Sequence, residues 1–176
     1  MRFRSIRALA AAIAGGTPLL LAPIWAAVAQ QTELHSLAAP RWAVISAAGT
    51  AADYPSNIFS IDAGASSRGA GRRLQTADGR AEFMLYVSPN SHRDSPASYV
   101  RKFLAVPQAK LDYSRITDRF FVVSGIERGQ VFYSRCNYPR RSSGPMHCIY
   151  LLYPQAETRA WDAIVTRISR SLRPGL

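Results

Sequence analysis

Two cysteines, Cys136 and Cys148, bracket the stretch "CNYPRRSSGPMHC", and the chain contains no others. A structural zinc site wants four ligands, and the nearby candidates are Cys136, His147 and Cys148. On a strand, the adjacent His147 and Cys148 point to opposite faces and cannot both reach one ion. A redox pair would read C-x-x-C, a much shorter spacing than this one. The flanking segments "QVFYSRCNY" and "MHCIYLLY" are rich in aromatic and aliphatic residues, and "PRRSSGP" between them is turn chemistry. The stretch therefore reads as a β-hairpin stapled by a disulfide. Setting Cys136 opposite Cys148 puts Ser134 opposite Tyr150, Phe132 opposite Leu152 and Tyr138 opposite Met146.

A disulfide needs an oxidising compartment, and the start of the chain supplies a route to one. "MRFRSIR" carries Arg2, Arg4 and Arg7, an apolar run follows, and Ala27-Val28-Ala29 closes it with an A-x-A end. Basic start, apolar middle and small-residue end are the parts of a secretory signal peptide. Gly15, Gly16, Pro18 and Pro23 interrupt the run and weigh against a permanent anchor. Residues 1–29 are expected to be removed after Ala29, which leaves no membrane span and a periplasmic or secreted protein. The formal net charge of the whole chain is +11, and removal of three arginines leaves it strongly basic. Such a balance favours acidic partners.

Residues 30–53 are alanine-rich, lack clear periodicity apart from "RWAVIS", and read as a linker or loosely attached arm. The domain is expected over residues 54–174. "NIFSI" from Asn57 reads as a short strand, and "GRRLQTADGRAEFMLYV" as a hairpin turning at Asp78-Gly79. After that turn Ala81, Phe83, Leu85 and Val87 alternate with Arg80, Glu82, Met84 and Tyr86, the pattern of a half-buried strand. Ser95-Pro96 starts a helix with Tyr99, Val100, Phe103 and Leu104 on its apolar stripe, and Pro107 ends it. "LDYSRI", "RFFVVSGI", "QVFYSRCNY" and "MHCIYLLY" form a four-strand antiparallel meander with short connections. A last helix runs from about Ala156 to Leu172, with Trp161, Ile164, Val165, Ile168 and Leu172 on one face. The fold class is α+β: an antiparallel sheet, made of a hairpin and a four-strand meander, flanked by two helices in a single domain.

"DYPSNIFSID", "DGRAEFMLY", "SPASYVRKFL", "FFVVSG", the cysteine hairpin and "WDAIVTRISRSLRP" together resemble a group of uncharacterised exported bacterial proteins, in order over residues 53–174. A Tyr-Pro-led strand, a curved sheet and a closing helix that ends Ser-Leu-Arg-Pro also resemble the PsbP-like architecture. That resemblance implies an antiparallel sheet flanked by helices and an accessory or binding role, and it transfers no catalytic residues.

No G-x-S-x-G elbow and no phosphate-cradling G-x-x-x-x-G-K-[ST] occurs in the chain. The acids are dispersed, and the three histidines are His35, His92 and His147. No catalytic residue, metal or cofactor is expected. The leading expectation is an exported non-catalytic binding or accessory module of the cell envelope. Its partner would be an anionic envelope component or another envelope protein, with no nucleic acid. Arg140 and Arg141 at the hairpin tip, with Arg135 and His147 on its strands, are the candidate binding residues, because arginine forks suit carboxylate and phosphate groups. The rival expectations are an anionic-polymer-binding protein, or an envelope hydrolase assembled from residues such as His147, Ser134 and Asp118.

Overall fold

The computed structural model describes residues 39–103, 111–139 and 144–175. Their chain order is β1 (Trp42–Ala47), β2 (Thr50–Pro55), β3 (Ile61–Ala65), β4 (Ala70–Gln75), β5 (Glu82–Ser88), α1 (Pro96–Phe103), β6 (Leu111–Ile116), β7 (Phe120–Glu127), β8 (Gln130–Asn137), β9 (Met146–Pro154), α2 (Thr158–Ser171) and the two-residue β10 (Arg173–Pro174). The protein is mixed α+β and mostly antiparallel sheet.

One sheet has seven strands in the order β3-β4-β5-β9-β8-β7-β6, and a second has three in the order β1-β2-β10. The expected meander is the run β6 to β9, and β9 pairs with β5 to join it to β3, β4 and β5. Cys136 stands directly opposite Cys148 across β8 and β9, with Ser134 opposite Tyr150 and Phe132 opposite Leu152. The two cysteines are bonded at 2.01 Å. The β8–β9 register ends with Asn137 opposite His147, one step short of the expected pairing of Tyr138 with Met146, and the Tyr138 N–H continues the ladder on the β7 side by donating to the Arg119 carbonyl at 2.8 Å.

The large sheet is covered on both faces. On one, Phe83, Leu85, Ile149 and Leu151 pack with Trp161, Ile164, Val165 and Ile168 of α2 and with Ala52 of β2. On the other, Met84, Tyr86, Phe121, Val123, Met146 and Cys148 pack with Val100 of α1. Strand β5 is consequently buried on both sides: Phe83, Met84, Leu85 and Tyr86 are all in the core. The half-buried alternation expected for it is corrected, since a central strand between two covered faces needs apolar residues at both parities.

Two further expectations are corrected. Residues 42–53, read as part of a linker or arm, form most of the β1–β2 hairpin. Ala48 and Gly49 turn it with φ of 50° and 77°, the pair of positive angles that a tight two-residue hairpin requires. Its alanines Ala51 and Ala52 are both buried, and Ala52 packs in the core against Trp161, Ile164 and Ile168 of α2, where a large side chain would hold the helix off. Of the piece "NIFSI", expected as a strand, only Ile61 is in one, at the start of β3; before it the Ile58 and Phe59 N–H groups both donate to the Pro55 carbonyl at 3.0 Å in a turn. Phe59 drops into the core beside Phe83 and Trp161, each ring pair 5.6 Å apart.

Trp161, 1% exposed, also stacks on Tyr153 at 5.4 Å, and its indole N–H donates to Glu157 at 3.2 Å. Trp161→Ala is expected to lower folding stability by about 3–5 kcal/mol, the range for truncating a large buried aromatic. Urea unfolding measures it, and an unchanged midpoint would mean that α2 is not anchored there. Replacing Cys136 or Cys148 by serine is expected to lower stability by about 2–4 kcal/mol, because the bond removes disorder chiefly from the unfolded chain. The same unfolding experiment under non-reducing conditions reads that loss.

Candidate functional site

Helix α2 covers the middle of the large sheet and leaves the β6–β7 end bare, so its polar side overhangs a groove. The register there runs Arg115–Val122–Arg135 across β6, β7 and β8. Residues in one such row share a face of the sheet, so the two arginines flank the buried Val122 side by side. Phe120 lies two residues before Val122 on β7, on the same face. Both guanidinium groups sit over its ring, Arg135 at 4.8 Å and Arg115 at 5.6 Å from the centroid. The negative face of an aromatic ring attracts such cations.

The groove consists of two adjoining hollows. The first, about 270 Å³, has Arg115, Phe120 and Arg135 in its floor, Tyr113 and Tyr133 beside them, and Thr166, Ser169 and Arg170 of α2 as its wall. The second, about 460 Å³, shares Phe120 and Arg135 and continues past Arg119, Asn137 and His147 to Tyr138, Pro139 and Pro174. Among the described residues no aspartate or glutamate lines either hollow. Elsewhere Arg72, Arg73, Arg80, Arg167 and Arg173 each face a carboxylate. Among the described residues no ion pair involves Arg115, Arg119, Arg135 or Arg170.

Arg135 is held by neutral groups. Its Nε donates to Asn137 Oδ1 at 2.9 Å and its Nη1 to Ser169 Oγ at 3.3 Å. Asn137 is itself fixed, donating from Nδ2 to the Leu172 carbonyl at the end of α2 at 3.0 Å. The buried Ser169 hydroxyl also shares a 2.6 Å hydrogen bond with the Tyr133 hydroxyl. Burial depresses the Arg135 guanidinium below its ordinary range, the nearby Arg115 charge adds to that, and Tyr133 opposes it. Burial also pushes the Tyr133 hydroxyl upward, so this tyrosine stays protonated and a hydrogen-bond donor at neutral pH. One of the two hydroxyl protons is used in the Tyr133–Ser169 bond, so the arrangement can present cations and one hydroxyl donor to a negatively charged group.

Of the residues singled out in the sequence, Arg135 lies at the waist between the two hollows and His147 in the second. Arg140 and Arg141 lie outside the described residues. Arg115 and Arg119 were not singled out, and Arg115 becomes visible once the meander is aligned on the cysteine pair and rows are counted outward. The residues considered for hydrolysis do not converge. Ser134 faces the α1 side of the sheet, whereas His147 faces the α2 side. Asp118 is exposed in the β6–β7 turn. Among the described residues no group of histidine, cysteine and acidic side chains is placed to hold a metal ion.

His147 carries the site's sensitivity to pH. Its Nδ1 is buried with no hydrogen-bond partner among the described residues, and burial lowers its pKa from the ordinary 6.5. Arg119, Arg135 and Tyr138 line the same hollow, and none of them neutralises an imidazolium. The unfolded chain therefore takes up this proton before the folded one does. Stability from this group is complete above pH 6.5 and falls as the pH drops toward the lower folded value. Melting temperatures at pH 7.5 and 5.5 are expected to fall more for the wild-type protein than for His147→Gln. Parallel falls in the two proteins would remove His147 as the cause.

No protein-family model matches this chain and no curated protein matches it, so the reading of the groove rests on its own geometry.

Proposed function

We propose that the protein is an exported, non-catalytic binding module of the cell envelope that takes an anionic envelope component into the groove beneath α2. One observation carries this reading: Arg115 and Arg135 both sit over the same phenylalanine, with no carboxylate in the lining among the described residues. Two like charges so placed repel each other, and an anion between them turns that repulsion into attraction. Hydrogen bonds to charged groups contribute about 1.5–3 kcal/mol each, so Arg135, held in place by Asn137 and Ser169, and the more exposed Arg115 together account for much of a moderate affinity. Export is supported by the signal-like start and by the disulfide, which persists in oxidising compartments. No helix among the described residues is long and apolar enough to cross a membrane. The PsbP-like resemblance of the sequence points toward an accessory or binding role as well.

The test is binding of the purified protein to dextran sulfate and to phosphatidylglycerol vesicles across a salt series. Arg115→Ala with Arg135→Ala is expected to weaken binding by about tenfold or more, equal to about 1.4 kcal/mol. A control pair of the same charge change, Arg101→Ala with Arg159→Ala, lies on exposed helix positions and should change it less than twofold. Equal losses from both pairs would reduce the effect to net charge.

A further inference from the structure

The two hollows differ in chemistry, and the difference identifies a ligand class. We infer that the groove binds a carboxylated polysaccharide, a chain of sugars bearing uronate-type carboxylates; this rests on the anion-binding reading above. The first hollow is cationic and hydroxylated: Arg115, Arg135 and Arg170 surround it, and the hydroxyls of the buried Ser169 and the half-buried Tyr133 stand at its wall. It is a seat for one carboxylate. The second hollow is larger and mostly walled by flat apolar surfaces, namely the Phe120 and Tyr138 rings and the Pro139 and Pro174 rings. Its volume falls within the range of about 300–1,000 Å³ typical of small-ligand sites, which are mostly apolar with a few placed polar groups.

Inorganic polyphosphate fits this sequence of surfaces poorly: its backbone is charged and hydrated on every side and has no apolar face to set against Phe120, Tyr138 and the prolines, so it would lose hydration there without a contact in return. A carboxylated sugar chain fits it well. Each ring offers an apolar C–H face to Phe120, Tyr138 and the prolines, and carries its charge on one projecting group. Cations stand where such groups would arrive: Arg115 and Arg170 at one end, Arg135 at the waist, Arg119 in the second hollow. Arginine suits carboxylate because its planar fork can donate two parallel hydrogen bonds. Asn137 holds the Arg135 fork in place from behind, so the waist is set before the ligand arrives.

The test compares three probes by titration calorimetry at 150 mM salt: polygalacturonate, inorganic polyphosphate of matched charge, and neutral dextran. Polygalacturonate is expected to bind at least tenfold more tightly than polyphosphate, and dextran not measurably. Phe120→Leu keeps an apolar side chain but loses the ring. It is expected to weaken polygalacturonate about tenfold and polyphosphate less than twofold, with its fold checked by circular dichroism. The comparison of polymers on the unaltered protein needs no variant and stands if that substitution unfolds the chain. Polyphosphate binding as tightly as polygalacturonate, with both lost in Arg115→Ala/Arg135→Ala, would overturn the polysaccharide assignment and leave the anion reading intact. Binding of neither polymer, or binding indifferent to the two arginines, would overturn both.

Discussion

The pairing of β5 with β9 is the contact on which the rest of this fold depends. It runs from Glu82 opposite Leu152 to Ser88 opposite Met146 and brings together segments with residues 89–145 between them. Closing so long a stretch of chain costs conformational entropy that local contacts do not return. The compensation is burial on both faces at once. Phe83, Leu85, Ile149 and Leu151 go under α2, and Met84, Tyr86, Cys148 and Tyr150 go toward α1. Apolar area removed from water contributes about 25 cal/mol per Å², so a pair of strands buried on two sides gains roughly twice what a surface pair would.

That central pairing also decides where the groove can be. The apolar face of α2, from Trp161 to Leu172, is drawn over the middle of the sheet and over β2. Strands β6 and β7 lie at the sheet's edge, beyond the reach of that face. Only the polar side of α2 extends over them, through Thr166, Ser169 and Arg170. A groove with an aromatic and arginine floor follows from a helix that is well placed for the core and off-centre for the edge. The short strand β10 adds to this by returning the chain along β2, which sets Pro174 at the far end of the second hollow.

Features fixed by neighbouring residues were legible in the sequence. The cysteine pair and its aromatic flanks gave the β8–β9 register, and the three- and four-residue spacing of Trp161, Ile164, Val165 and Ile168 gave the buried face of α2. Features fixed by distant packing were not legible. The strand β2 is Thr-Ala-Ala-Asp-Tyr-Pro, a composition with little strand preference, and it is a strand because α2 presses on it. Its backbone is tied there at the Asp53 N–H, which donates to Ser171 Oγ at 2.8 Å. The groove was half legible for the same reason. Arg140 and Arg141 draw the eye because they are adjacent in sequence. Arg115 and Arg135 are adjacent only across an intervening strand, and no local pattern announces a row of that kind.

Arginine is abundant in this chain and most of it is accounted for by charge pairing or exposure, so the choice of arginine at position 135 needs a separate argument. A lysine there could be neutralised by losing its proton, since burial shifts an amine readily. A guanidinium cannot take that route, and Arg135 stays charged at the waist of the groove. Its charge is met by an amide oxygen, a hydroxyl and a ring face instead of a carboxylate. Each of these stabilises a cation less than an anion would, so the folded protein keeps a site whose electrostatics are incomplete. Strain or unmet charge of this sort is retained where it serves binding, because the groups need no reordering when the ligand arrives. An acidic residue beside Arg135 would stabilise the fold more and would fill, with the protein's own charge, the place that the groove holds open.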